Sequence, residues 1–209
     1  MSLNERFFAR MYDRIMAKTE KAGLGAKRDE LLASAKGDVL EIGAGTGVNL
    51  AHYGSGVNSL TLTEPAQPML RRLDKRTSDV AVDTLSPAVL RAPAEDLPFP
   101  DDSFDTVVST LTLCTVDDQP RALREIHRVL RPGGRLLFIE HVRSDRERTA
   151  RWQDRLNGMN RVVGAGCNCN RPTLDSVRSA GFTVTDVDHG ELYKAPPWVR
   201  PLISGIATA

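Results

Sequence analysis

The chain has 209 residues, enough for one sizeable domain, with 41% hydrophobic and 26% charged residues, a composition that supports a packed core. Its 28 Lys and Arg balance 27 Asp and Glu to a net charge of +1, which argues against nucleic-acid binding through bulk charge and leaves only a local basic patch for it. No window approaches the ~18 apolar residues of a membrane span, and three cysteines are too few, and odd in number, for a disulfide scaffold.

The first twenty residues interleave charges with apolar side chains and hold no signal-peptide block. A soluble chain in a reducing, cytoplasmic compartment is therefore expected. Phe8, Met11 and Ile15 recur at helical spacing and predict an amphipathic N-terminal helix; residues 26–35 predict a second, with Leu31 and Leu32 on its inner face. Gly37 then breaks the helix, and DVLEIGAGTG reads as a strand ending in glycines. Further strands are predicted at Ser59–Thr63, Ala88–Arg91, Phe104–Ser109, Arg135–Val142 and Phe182–Val187, with helices at Ala66–Arg76 and Pro120–Leu130. Pro132 and two glycines stop the latter helix.

A last helix is expected over Asp145–Val163. Trp152, Leu156, Met159 and Val163 fall at i, i+4, i+7 and i+11 and form an apolar stripe among arginines. That stripe either packs on the core, leaving a solvated basic face, or caps the sheet edge or the active site. Strands alternating with helices imply a doubly wound α/β sheet, its central strands buried on both faces.

The strongest chemical signal is Glu41-Ile42-Gly43-Ala44-Gly45-Thr46-Gly47 after the first strand. Glycines let the backbone turn sharply and let a ligand approach with no Cβ in the way. Such a loop lies at the carboxyl ends of the strands, where α/β folds bind ligands. Glu64, 17 residues after Gly47, ends the second strand and can accept hydrogen bonds from both hydroxyls of a ribose. The G-x-G-x-G spacing differs from the dinucleotide G-x-G-x-x-G. Glu41 would repel a pyrophosphate but suits an ammonium group. These features disfavour a dinucleotide oxidoreductase and favour S-adenosylmethionine (SAM).

The whole run resembles the class I SAM-dependent methyltransferases. The resemblance is carried by DVLEIGAGTG, by LTEP (Leu62–Pro65), by Arg91–Val116 and by REIHRVLRPGGRLLFIEH. It implies a Rossmann-like sheet of seven strands, mostly parallel, with Leu202–Ala207 as an antiparallel final strand. It also implies a single domain over residues 1–209. Within it, residues 1–25 form a lid helix and residues 143–171 a substrate-side insertion.

SAM would be held at the loop by Glu41, Gly43, Ala44, Gly45, Thr46, Gly47 and Asn49, and at the ribose by Glu64 and Pro65. Met69, Pro93, Ala94 and Glu95 would surround the adenine, with Thr110, Leu111 and Cys114 on the far wall. Pro93 stands where the family often has an acidic residue, so which carboxylate serves the adenine is open. Tyr12, in FARMYDRIM, resembles the tyrosine of a helix folded over SAM; alternatively that helix only packs on the sheet.

APAEDL, TLTLCTV, RVLRPGG, EHV, GCNCNR and the C-terminal APPWVRPLISGIATA resemble a narrower group, the thiol S-methyltransferases of the animal endoplasmic reticulum. Those relatives carry a hydrophobic N-terminal anchor, and a soluble, unanchored relative is the implied reading. A small-molecule thiol acceptor is expected, with no nucleic acid, no membrane span and a plausible monomer. A shared scaffold does not fix the substrate. Methylation of oxygen, nitrogen or carbon on a quinone, lipid or natural-product intermediate is one rival. A non-catalytic SAM-binding module is another.

His141, at the carboxyl end of the RLLFIEHV strand, is the candidate base; alternatively its ring bonds a loop carbonyl. Glu140 should point to the opposite side of that strand. His127, His52 and His189 carry no supporting pattern. Cys114 reads as a small buried residue beside the site. Cys167 and Cys169 read as a substrate-proximal loop or tight connection, with no metal expected.

Overall fold

The computed structural model describes residues 11–14, 16–79 and 86–209. Phe8 and Ile15 of the expected N-terminal helix lie outside them. Residues 11–14 and 16–19 are helical and lead through a π-helical turn (Glu20–Leu24) into α1 (Gly25–Leu32). There follow β1 (Gly37–Ile42), β2 (Val57–Thr63), α2 (Gln67–Asp79), β3 (Ala88–Leu90) and β4 (Phe104–Thr110). Next come α3 (Gln119–Val129), β5 (Leu130–His141), α4 (Glu147–Val163), α5 (Thr173–Ser179), β6 (Thr183–Glu191) and β7 (Pro201–Thr208).

The seven strands lie in the order β3-β2-β1-β4-β5-β7-β6. Strands β1 to β5 pair in parallel, while β7 runs antiparallel to both β5 and β6. This is the doubly wound sheet with an antiparallel final strand that the sequence implies. Alternation along β5 divides the core. Leu136 and Phe138 pack with Leu123 and Ile126 of α3; Leu137 and Ile139 share the opposite cluster with Leu32 of α1 and Leu73 of α2. The apolar run LLFI is thus buried from two sides.

Four elements differ from the sequence reading. β5 begins at Leu130, which already pairs with Phe104 before Gly133 (φ +78°) turns the chain. The glycine loop leads into one 3-10 turn, Val48–Ala51, and α5 forms from a segment with no clear period. The fourth difference concerns α4. Its core side is polar, with Gln153 and Asn160 buried beside Ala150, while Trp152, Met159 and Val163 of the apolar stripe face outward. Gln153 explains the inversion. Its amide donates to the carbonyls of Val142 (3.0 Å) and Cys169 (2.8 Å) and accepts from the Ser144 amide (2.9 Å). A buried side chain that satisfies three backbone groups outweighs the pull of the stripe.

Candidate active site

The carboxyl ends of β1, β2 and β4 meet at the glycine loop. Gly43 and Gly45 both have φ +59°. At Gly43 a Cβ would run into the side chain of Thr112, so the loop can close on the β4 wall only with glycine there. At Gly45 a Cβ would meet no atom nearer than the Gly43 carbonyl, 4.0 Å away; its backbone borders open space. Ala44 is buried and donates its amide to the Thr63 carbonyl (2.9 Å), which ties the loop to β2. The Thr46 hydroxyl donates to Asp13 (2.7 Å), and Asp13 also pairs with Arg76 of α2 (3.1 Å). One contact therefore fastens the N-terminal helical segment to the glycine loop and the other fastens it to α2.

Glu64 sits buried at the end of β2. One carboxylate oxygen accepts the Gly45 amide (2.9 Å), the other the Ala66 amide (2.7 Å). Burial raises its pKa while these two amides oppose the shift. Each oxygen keeps a second lone pair, which suits a pair of ribose hydroxyls. Pro65 comes next and accepts from Arg91 (3.0 Å), and Met69 is buried on the first turn of α2.

Under the loop lies a polar network. The Asn49 amide donates to Glu41 and to the Thr110 hydroxyl, both at 2.9 Å. Tyr53 donates to the other Glu41 oxygen (2.7 Å). Arg28, itself buried, reaches Asn49 (2.5 Å) and Thr110 (3.1 Å) while pairing with Glu20 through two nitrogens. Burial drives the Glu41 carboxyl up to about 7, against the hydrogen bonds from Tyr53 and Asn49 and the charge of Arg28. The Tyr12 phenol is raised by burial to about 12, with the Arg28 charge opposing and Glu20 and Cys114 adding to it. Tyr12 therefore belongs to the same electrostatic neighbourhood.

The residues present fit SAM on these observations. An open backbone cradle at Gly45 admits the cofactor, Glu64 suits its ribose, and a partly protonated Glu41 would be recharged by an ammonium group. The Glu41 proton also links stability to pH. Native Glu41 holds its proton up to about 7, whereas an unfolded glutamate near 4.5 loses it. The folded state is therefore favoured fully below 4.5, and that advantage is lost as pH rises through 7. Glu41→Gln is expected to stabilise the ligand-free protein at pH 8 by up to about 3 kcal/mol, the 2.5-unit gap converted, and to leave it unchanged at about pH 4. Thermal melts at the two pH values check the sign.

At the end of β4 the chain is forced through an unusual turn. Leu111 has φ +57°, a left-handed conformation that is costly for a branched side chain. Its amide bonds the Ile139 carbonyl (2.7 Å), and Glu140 holds residues 112–114 immediately after it. This fully buried carboxylate accepts from the Ser109 hydroxyl (2.7 Å) and from the amides of Thr112, Leu113 and Cys114 at 3.0 to 3.1 Å. His141 points the other way, as strand alternation requires. Its ring is buried, and Nδ1 has no hydrogen-bond partner among the described residues. Burial lowers the imidazole pKa to about 4, opposed by the carbonyls of Pro201 and Val199.

In the adenine segment, Ala94 is buried and Pro93 accepts the Asp96 amide (3.3 Å). Glu95 accepts the Asp117 and Asp118 amides at 2.8 and 3.3 Å and so braces the loop after β4. Cys114, Cys167 and Cys169 come together out of sequence. The Cys167 sulfur lies 3.4 Å from Cys169 and 3.8 Å from Cys114, and all three are free and buried. The Cys167 thiol favours ionised Cys114, but burial and Glu140 outweigh it and raise the Cys114 pKa. Among the described residues no group of three or more His, Cys, Asp or Glu side chains is arranged to hold a metal ion. Arg171 closes this side by donating to the carbonyls of Leu113 and Val116, both at 2.7 Å.

Arg28, Tyr53, Gln153 and Arg171 were not singled out from the sequence. Arg28 did leave a signal, since it shares the α1 face of Leu31 and Leu32 at i+3 and i+4 and must point inward with them. Tyr53, Gln153 and Arg171 left none, because their partners are backbone atoms or side chains brought near only by folding.

Residues 40–138 match the family model described as a methyltransferase domain. The human protein named thiol S-methyltransferase TMT1A is 31% identical over 96% of this chain and 82% of its own length. Human thiol S-methyltransferase TMT1B is 36% identical over 84% of this chain and 72% of its own. The solved structure of a SAM-dependent methyltransferase from Thermotoga maritima superposes with a TM-score of 0.70 at 25% identity, covering 100% of this chain and 99% of that one. With the glycine cradle, the Glu64 carboxylate and the seven-stranded sheet, these likenesses place the chain in the thiol S-methyltransferase family of SAM-dependent methyltransferases.

Proposed function

We propose that this methyltransferase acts on the sulfur of a small thiol. The observation that carries this reading is the chemistry at the carboxyl ends of β4 and β5. Glu140 is spent on four donors, and the buried imidazole of His141, with a pKa near 4, is a weak base. An alcohol or amine acceptor more often needs a positioned base. A thiol, with pKa ≈ 8.5, supplies its own nucleophile. Bound SAM supplies a methyl group already activated on a cationic sulfonium.

The protein's share is to align the partners and exclude water. Tyr12 and Asp13 hold the helical segment over the loop, Glu41 and Arg28 take the charged methionine end, and Glu64 takes the ribose. The far wall is Thr110, Leu111 and Cys114, with Met69, Pro93, Ala94 and Glu95 around the adenine. Nδ1 of His141 accepts a hydrogen bond from the thiol and so orients the sulfur, and the thiol proton leaves to solvent. Residues 143–171 shape the acceptor side of a single domain. Three free, buried cysteines support a reducing, cytoplasmic setting, and no described helix is long and apolar enough to cross a membrane.

Turnover with an alkyl thiol should rise with pH as the thiol ionises. His141→Ala should slow it about tenfold at pH 7 and leave it nearly unchanged at about pH 9, where thiolate forms unaided. A profile that instead levels off near about 6.5, with loss at all pH values in the variant, would make His141 an ordinary general base and weaken the thiol reading.

A further inference from the structure

Helix α4 is amphipathic in reverse. Its inward face carries Gln153 and Asn160, and its outward face carries Trp152 at 46%, Met159 at 50%, Val162 at 73% and Val163 at 70% exposure. Few folds leave a tryptophan, a methionine and two valines of one helix in water without a use for them. Trp152, Met159 and Val163 stand at i, i+7 and i+11, one continuous stripe.

Arginines flank it. Arg148 and Arg155 lie one turn to either side of Trp152, and the Arg155 guanidinium sits 5.7 Å from the Trp152 ring centroid. The helix has two acidic residues, and both are engaged: Glu147 pairs with Arg151 (2.5 Å), and Asp154 pairs with Arg143 (2.6 Å) and accepts from Asn170. Arg148 and Arg155 have no acidic partner among the described residues. The outward face is therefore apolar at its centre and cationic at its edges.

We propose that this face of α4 docks on an anionic lipid bilayer. Trp152, Met159 and the valines would enter the boundary between headgroups and acyl chains, while Arg148 and Arg155 lie along it with their guanidinium groups at the lipid phosphates. Charge decides between occupants. A second copy of this chain would set like-charged arginines against each other, whereas an anionic surface matches them. The docked helix is joined to the active site by Gln153, which bonds the carbonyl after β5 and the carbonyl of Cys169. Acceptors dissolved in the bilayer would thus be delivered next to the catalytic end of the sheet. Docking of this kind does not depend on sulfur being the accepting atom.

The test is co-sedimentation of the full chain with vesicles of phosphatidylcholine alone or mixed with phosphatidylglycerol. Binding is expected only to the anionic vesicles, and it should weaken as salt rises from ~0.1 M toward ~1 M and the Debye length shrinks. Trp152→Ala with Met159→Ser, and separately Arg148→Glu with Arg155→Glu, should each cut the bound fraction about tenfold. SAM affinity and thermal melting should stay unchanged, which separates lost docking from lost folding. No binding to anionic vesicles, or equal binding to both compositions, would overturn the proposal. So would a concentration-dependent dimer that Trp152→Ala dissolves, since a second copy would then be the occupant.

Discussion

Replacing Glu140 by alanine is expected to cost at least about 4 kcal/mol of folding stability. Among the described residues the carboxylate is the sole acceptor for the Ser109 hydroxyl and for the amides of Thr112, Leu113 and Cys114. All four donors lie in the core, and each buried donor left unsatisfied costs about 1–3 kcal/mol. They also hold the chain just past Leu111, whose left-handed backbone persists only because its surroundings fix it. Glu140→Gln separates the parts. One oxygen receives Ser109, Thr112 and Leu113, and a glutamine can keep it, while its NH2 group would face the Cys114 amide. The glutamine variant should therefore lose roughly half as much or less. Urea unfolding of the two variants measures both numbers. A loss below about 1 kcal/mol for alanine would show that the turn is held by something else.

Glu64→Ala is expected to weaken SAM binding at least about 100-fold. Two hydrogen bonds from ribose hydroxyls to a charged acceptor contribute about 1.5–3 kcal/mol each, and every 1.4 kcal/mol is about tenfold in affinity. The substitution also frees the Gly45 and Ala66 amides, so the cradle itself loosens. Glu64→Gln, which keeps one acceptor oxygen, should lose about tenfold. Calorimetric titration gives both constants. Unchanged affinity in the alanine variant would remove the ribose from β2.

Much of the fold was legible from short-range pattern. β1, β2 and β4 announce themselves by short strand-like segments rich in Val, Leu, Ile and Thr and the LLFI segment of β5 by a continuous apolar run, and Glu41, Gly43, Gly45 and Glu64 by their spacing after the first two strands. Opposite orientations for Glu140 and His141 arise from alternation alone. The features that stayed hidden depend on contacts between distant segments. The role of Glu140 requires the amides of residues 112–114 to converge on it, and the three thiols meet only when the loop at 167–169 closes on Cys114. The α4 stripe misled for the same reason. Helical periodicity marks an apolar face, but Gln153 satisfies backbone groups from two other segments and so decides which face turns inward.

Methyl transfer to sulfur is tested most directly by a single assay. The purified protein is incubated with methyl-labelled SAM and, separately, an alkyl thiol, a phenol, an amine and a quinone. Label is expected in the thioether of the thiol sample, in step with release of S-adenosylhomocysteine, and Glu64→Ala should abolish it at limiting SAM. Label in the phenol or quinone and none in the thiol would contradict the sulfur assignment, and tight SAM binding without transfer to any acceptor would contradict catalysis itself.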